Sequence, residues 1–281
     1  MNPHAPFTPP PPYDTTFLDD SVARSPRLRV VSGFHGGIFH KWAVPGQDRL
    51  GYYVAQYDGE IAAVDAEVGE VLAALQGSAL AGRTVVVLTS DHGESLGEHD
   101  YYFDHGEYVF DPSQRIPLVV SVPGAPGGRK TDVLASTLDL VPTILDAVKV
   151  SYPPDLAGIS LLPAVTGGTP RVRTRLFGQN ERNLTATWDA RFKLVATPRE
   201  KSGDALALYD RDRDPGETKD VGGADPDRLR VERRELELFL DRARRERARS
   251  DALASGAPPV EDPSAQGCEN LRSLGYVGHC P

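Results

Sequence analysis

The sequence lacks several features that would place it quickly. No run of about 18 apolar residues occurs in its 281 positions, so no segment reads as a helix able to span a bilayer. Positive charge is in deficit: 31 Lys and Arg stand against 40 Asp and Glu, a formal charge of −9. Non-specific binding to nucleic acid or to an anionic membrane needs a basic face that neutralises phosphates, so neither partner is expected. A small anionic substrate would need a local cation such as a bound metal. Cysteine is also scarce. Cys268 and Cys280 allow either a disulfide around a tail loop or two thiols, and two cysteines assign no redox compartment. The first 20 residues carry six prolines and no apolar stretch, so they do not read as a secretory signal.

What is present has the grammar of an α/β protein. Residues 1–13 are proline-rich and predict an extended, non-helical stretch, either a disordered arm or an interior loop of a larger fold. Over 49–75, Val54, Tyr57, Ile61, Val64, Val68, Val71 and Leu75 step by three and four, which predicts an amphipathic helix. The β-branched run at 84–89 and a second run at 117–122 predict strands buried on both faces of a parallel sheet. Asp139 is the expected N-cap of a helix through 148, with Pro142 in its first turn.

After residue 171 the texture changes. Strands are predicted at 191–195 and 205–209, followed by Asp-rich turns. A charged helix over 226–250 has a thin apolar stripe of Leu229, Leu236, Phe239 and Leu240, and 251–266 is linker-like. The expected organisation is a partial α/β domain over 1–170, a small antiparallel α+β subdomain over 171–225, and a charged helix and tail over 226–281.

The chemistry concentrates in the loop at 90–110. His92, His99 and His105 lie there among Asp91, Glu94, Glu98, Asp100 and Asp104, just past the end of the first long strand. In open α/β sheets that edge binds ligands. The adjacent Asp91-His92 pair offers one hard oxygen and one imidazole nitrogen, suited to Ca²⁺, Mg²⁺, Mn²⁺ or Zn²⁺ depending on the other ligands.

Ser90-Asp91-His92-Gly93-Glu94, Leu96-Gly97-Glu98-His99, His105-Gly106, Arg115-Ile116-Pro117-Leu118 and Pro123-Gly124 closely resemble the sulfatase family of the alkaline-phosphatase-like superfamily. Further matches run in the family's order: Pro3-His4-Ala5-Pro6-Phe7, Tyr57-Asp58-Gly59-Glu60-Ile61 with Asp65, Asp139-Leu140-Val141-Pro142-Thr143-Ile144, Leu208-Tyr209-Asp210 with Asp214-Pro215-Gly216-Glu217, and the tail at 271–278. The resemblance implies an alkaline-phosphatase-like α/β fold and hydrolysis of sulfate esters. Asp91 and His92 match the pair that, with two acidic residues near the family's N-terminus, binds a divalent cation, usually Ca²⁺. His4 matches a histidine that contacts the sulfate and protonates the leaving alkoxide, a task suited to an unperturbed pKa of about 6.5. His105 stands where members place a Lys or His donor on a sulfate oxygen. Glu94 and His99 are expected to support the loop; apart from the resemblance, Arg182 and Lys193 are minor candidates for an outer rim.

One departure is large. The family's nucleophile is a formylglycine made from a Cys/Ser-x-Pro-x-Arg motif, and this sequence contains no such motif. The nearest match, Cys268-Glu269-Asn270-Leu271-Arg272, has Asn in place of Pro. The family's N-terminal acidic pair is also missing, since Asp19-Asp20 follows the His4 loop and reads as solvated. The chain therefore looks like the C-terminal portion of a sulfatase, inactive alone. Alternatives are a phosphodiester or phosphonate ester hydrolase of the same superfamily, or a non-catalytic partner subunit. The expected partner is a small sulfated substrate, and an uncovered sheet edge and uncovered helix faces would favour self-association. The parent family is often exported or periplasmic, but the sequence assigns no location.

Overall fold

The computed structural model describes residues 3–154, 156–171, 173–180, 182–199 and 203–254; both cysteines, the linker-like stretch beyond 254 and the tail resemblance lie outside these residues. The proline-rich start is extended, as its composition requires, but it is packed rather than free. Ala5 and Phe7 are buried in a core with Ile38, Tyr53 and Phe103. Two short helices follow, α1 (Tyr13–Thr16) and α2 (Asp20–Arg24). Asp19 is exposed, as expected, and as the N-cap of α2 it accepts the Ser21 N–H at 2.7 Å. Two-residue strands β1 (Val30–Val31) and β2 (Ile38–Phe39) pair in parallel.

The long helix α3 (Leu50–Gln76) forms where the three-four spacing predicts it, but it buries a different face. Tyr53, Gln56, Gly59, Glu60 and Ala63 are buried, whereas Ile61 is 44% and Val71 68% exposed. Periodicity marks the side of a helix that gains from burial, while the available neighbours decide which side is covered. Here the neighbours are the proline-rich loop, α1 and α2.

β3 (Val86–Thr89) leads into the site loop, which contains β4 (Ser95–Leu96), β5 (Tyr102–Asp104) and α4 (Asp111–Gln114) before β6 (Leu118–Ser121). The two apolar runs do form strands, yet they pair with each other antiparallel, Val86 against Ser121 and Thr89 against Leu118, and not as neighbours in parallel register. Their faces are not both covered, since Leu88 is 41% and Val119 56% exposed. A continuous β-branched run reports an appetite for burial and says nothing of strand direction.

α5 (Leu140–Ala147) begins after a 3₁₀ turn at Thr137–Asp139. Asp139 is the N-cap residue of α5, as expected, but its side chain makes no cap bond there; it instead completes a capping box for the 3₁₀ turn by accepting the N–H of that turn's N-cap, Ser136, at 2.8 Å. Asp139 is fully buried and also takes Ile159 N–H at 2.8 Å and Arg173 at 2.5 Å. After α6 (Leu162–Thr166) comes a four-stranded antiparallel sheet in the order β10-β9-β8-β7, made of β7 (Leu176–Gln179), β8 (Thr185–Trp188), β9 (Phe192–Thr197) and β10 (Ala205–Asp210). The chain ends its described course in α7 (Pro226–Ala254), within which one compact unit closes at Leu236 and a second begins at Glu237. Among the described residues no helix is long and apolar enough to cross a membrane.

Lys193 does not line a rim. It is fully buried in β9, with Nζ 2.9 Å from both Asp111 Oδ1 and Glu217 Oε1. Arg211 completes the network at 2.6 Å from Asp111. Arg182 is exposed and pairs with Glu107.

Candidate functional site

The site loop is held by backbone devices that its sequence makes available. Gly93 passes so close to α4 that an added Cβ would lie 2.0 Å from the Pro112 carbonyl oxygen, and its N–H donates to Ser113 O at 3.0 Å. His99, Asp100 and Phe103 all have left-handed backbones, with φ of 55°, 60° and 56°. Each non-glycine residue there costs on the order of 1 kcal/mol. Phe103 is compensated by its burial, packing at 5.7 Å from Phe7 and 5.1 Å from Tyr53. The Phe7–Phe103 contact brings the proline-rich loop and the end of β5 together, and with them His4 and His105.

Three imidazoles distant in sequence meet there. His92 and His105 stack with centroids 3.5 Å apart and planes 20° from parallel. His4 stands edge-on to both, 5.1 Å from His105 and 6.3 Å from His92. Each ring is oriented through Nδ1: His4 toward Ala5 O at 2.6 Å, His92 toward Gly93 O at 2.9 Å, and His105 toward Glu94 Oε1 at 3.4 Å. A histidine whose Nδ1–H is engaged by an acceptor presents its Nε2 to a ligand.

The electrostatics differ between these groups. The hydrogen bond to Glu94 raises the His105 pKa above its ordinary value, against burial, which lowers it. Burial would raise Asp91, but His92, its own backbone amides and His105 outweigh this and hold it low, as a carboxylate. Burial pushes Asp104 up, helped by Glu94.

Two donor sets suit a cation. Asp91 Oδ2 lies 3.8 Å from His92 Nε2, a separation that two ligands of one ion can have. Glu94, Asp104 and His105 bring their ligand atoms within 4.8 Å of one another, and Glu94 Oε2 is buried with no hydrogen-bond partner. In the second set His105 Nδ1 is already engaged by Glu94 Oε1 at 3.4 Å.

His4, Asp91, His92, Glu94 and His105 are thus brought together, while His99 is not. It lies flat on Phe110 at 3.6 Å, where burial lowers its pKa. His35 stacks on Tyr101 at 5.3 Å and reaches Glu107 at 3.1 Å. Sequence reading singled out neither Asp104 nor Tyr101, whose hydroxyl donates to His105 O at 2.7 Å. For Tyr101 no sequence signal exists, because its partner is a backbone carbonyl four residues on.

The sequence matches the Sulfatase family over residues 1–150 and the family described as N-sulphoglucosamine sulphohydrolase, C-terminal, over 97–244. It is 31% identical over 202 residues to arylsulfatase K of Xenopus laevis, covering 66% of this chain and 37% of that protein. It is 28% identical over 190 residues to a Delta 4,5-hexuronate-2-O-sulfatase of Bacteroides thetaiotaomicron, covering 62% of this chain and 38% of that one. The chain therefore spans less than two fifths of the length of either relative. Among solved structures, the phosphonate monoester hydrolase of Agrobacterium radiobacter superimposes with a TM-score of 0.67 at 28% identity, over 87% of this chain and 55% of its own. A structure in complex with its substrate D-glucosamine-2-N,6-O-disulfate gives 0.56 at 26% identity, over 70% and 41%.

Proposed function

The chain belongs to the sulfatase family, and we propose that its histidine cluster is part of a site that hydrolyses sulfate esters. The fold is the family's alkaline-phosphatase-like α/β fold, with an antiparallel sheet in its C-terminal part. One observation carries the reading: imidazoles 4, 92 and 105 meet from separate segments beside the carboxylates of Asp91 and Glu94. His105, as an imidazolium steadied by Glu94, would donate to an ester oxygen. His4 would give a proton to the departing alkoxide, returning to the neutral imidazole. Asp91 and His92 would hold a divalent cation, which we take to be Ca²⁺ because a carboxylate oxygen is a hard ligand. When bound, that ion would polarise the sulfate oxygens and fix the ester in place. No Cys/Ser-x-Pro-x-Arg motif occurs in this sequence, and no residue of it is assigned as the nucleophile.

Titration of the labelled chain with 4-nitrophenyl sulfate, followed by the histidine ring resonances, tests this directly. Shifts at His4 and His105 are expected, and their absence would refute the assignment. A second reading has its own support, since the phosphonate monoester hydrolase superimposes over most of the chain. A phenyl phosphonate monoester that perturbed the same rings at tenfold lower concentration would favour it. The names of the sulfatase relatives point to a sulfated sugar as the substrate class.

Asp91 and His92 alone give two ligands, fewer than Ca²⁺ takes in tight sites. A dissociation constant of about 10⁻⁴–10⁻³ M or weaker is expected in calorimetry, and His92→Ala should abolish the heat. With an aryl sulfate, wild type should turn over no faster than this variant. Sub-micromolar Ca²⁺ affinity or clear turnover would show that ligands or a nucleophile in this chain have been overlooked.

We also propose that a second copy covers the exposed apolar residues of β3 and β6. Sedimentation should then give a mass above 30.4 kDa, returning to that value in Leu88→Lys/Val119→Asp. A wild-type monomer at 100 µM would end this idea.

A further inference from the structure

The buried face of α3 carries Gln56 and Glu60 among Tyr53, Ala55, Gly59 and Ala63, and both of these polar side chains bond the backbone of the proline-rich start and α1. Glu60 is 1% exposed. Its two oxygens accept backbone N–H groups from either end of a five-residue stretch, His4 at 3.2 Å and Thr8 at 2.7 Å. Between those two anchored amides, Ala5 and Phe7 insert into the core, Phe7 meeting Tyr57 of α3 edge-on at 5.2 Å. Immediately before Glu60, Gly59 has no room for a side chain, since a Cβ there would lie 2.5 Å from Tyr13 O and 2.9 Å from Pro9 Cγ. Gln56 closes the seam by donating to Asp14 O at 2.8 Å. Residues 56, 59 and 60 are neighbours on one helix face, so the seam is continuous. A proline-rich loop has few amides of its own to pair, and two of them, at His4 and Thr8, are spent on Glu60.

We infer that Glu60 is a positioning residue: it fixes the backbone on both sides of the Ala5 and Phe7 plugs and so sets where the His4 ring stands against His92 and His105. This rests on the reading of His4 as a group that faces the ester, but the anchoring itself does not depend on it. A carboxylate is suited to the task because it is the one side chain offering two acceptors and no donor to two converging N–H groups.

The test is amide hydrogen exchange and histidine ring NMR on the full chain, with inorganic sulfate as the probe. In wild type, the His4 and Thr8 amides should be protected although they belong to no helix or strand. In Glu60→Ala both should exchange at least tenfold faster, with the Leu194 amide in β9 unchanged as the sign of an intact fold. Glu60→Gln keeps one acceptor and places a donor beside the other amide, so one of the two amides should remain slow. The sulfate-induced shift of the His4 ring should fall at least threefold in Glu60→Ala while that of His105 persists, a split that general loosening would not give. Exchange at His4 and Thr8 within twofold of wild type in Glu60→Ala would overturn the anchor, as would unprotected amides in wild type if neither variant folds. Sulfate that moves neither His4 nor His105 in wild type would instead refute the sulfatase reading, and the exchange rates would still decide the anchor.

Discussion

Lys193→Met is expected to destabilise the chain by about 3–5 kcal/mol, the range for removing one partner from a buried ion pair. The ammonium is fully buried and is shared between Asp111 and Glu217 at 2.9 Å each, with the Trp188 ring 5.1 Å away. Methionine fills a similar volume, so the loss is electrostatic: Arg211 still serves Asp111, but Glu217 keeps only a 3.8 Å contact to it and the Asp111 N–H at 2.8 Å. A shift in the urea midpoint measures the effect, and Lys193→Met/Glu217→Gln should recover part of it because the stranded charge is gone. A change below about 1 kcal/mol would mean that water or Arg211 already satisfies the acids.

The same substitution has a pH signature. Burial would raise Asp111, but Lys193 and Arg211 outweigh burial and hold it below the usual carboxylate range. A depressed native pKa contributes stability that is complete above the unfolded value of about 3.9 and disappears as pH falls through the native one. Without Lys193 that native value rises, so acid unfolding should begin at higher pH. The consequence reaches the site, because Asp111 opens α4, and the Ser113 carbonyl in that helix holds the Gly93 N–H beside His92.

The second large effect is expected at His105. Replacement by alanine should weaken 4-nitrophenyl sulfate binding about ten- to hundredfold, from loss of a hydrogen bond donated by a charged group, about 1.5–3 kcal/mol. Alanine also strands Glu94, whose side chain is only 2% exposed, so a loop rearrangement could imitate the loss. His105→Lys separates the two causes by keeping a cation beside that carboxylate. It should bind within a few fold of wild type. Equal affinity in all three proteins, read by NMR titration, would remove His105 from the anion site.

Much of this was legible in the residues themselves. The three-four spacing marked α3, the β-branched runs marked β3 and β6, and the collinear motifs carried the family. Those motifs also drew attention to His4, Asp91, His92 and His105, which do converge. Sequence reading treated His99 as another member of the loop cluster, but a left-handed backbone at residues 99 and 100 turns its ring away onto Phe110. It offered no sign that Lys193 is buried, because the carboxylates of Asp111 and Glu217 that hold it arrive from positions 82 residues before and 24 after it.

The sequence by itself determined the helices α3, α5 and α7 and the strands β3, β6, β9 and β10, because their patterns run over several turns or pleats, and which residue types are able to do acid, base and metal chemistry. Only the tertiary structure decided which faces are covered, that β3 and β6 run antiparallel, and that Glu60 holds the His4 loop. Those outcomes depend on partners brought close by chain closure, over separations that local periodicity does not encode.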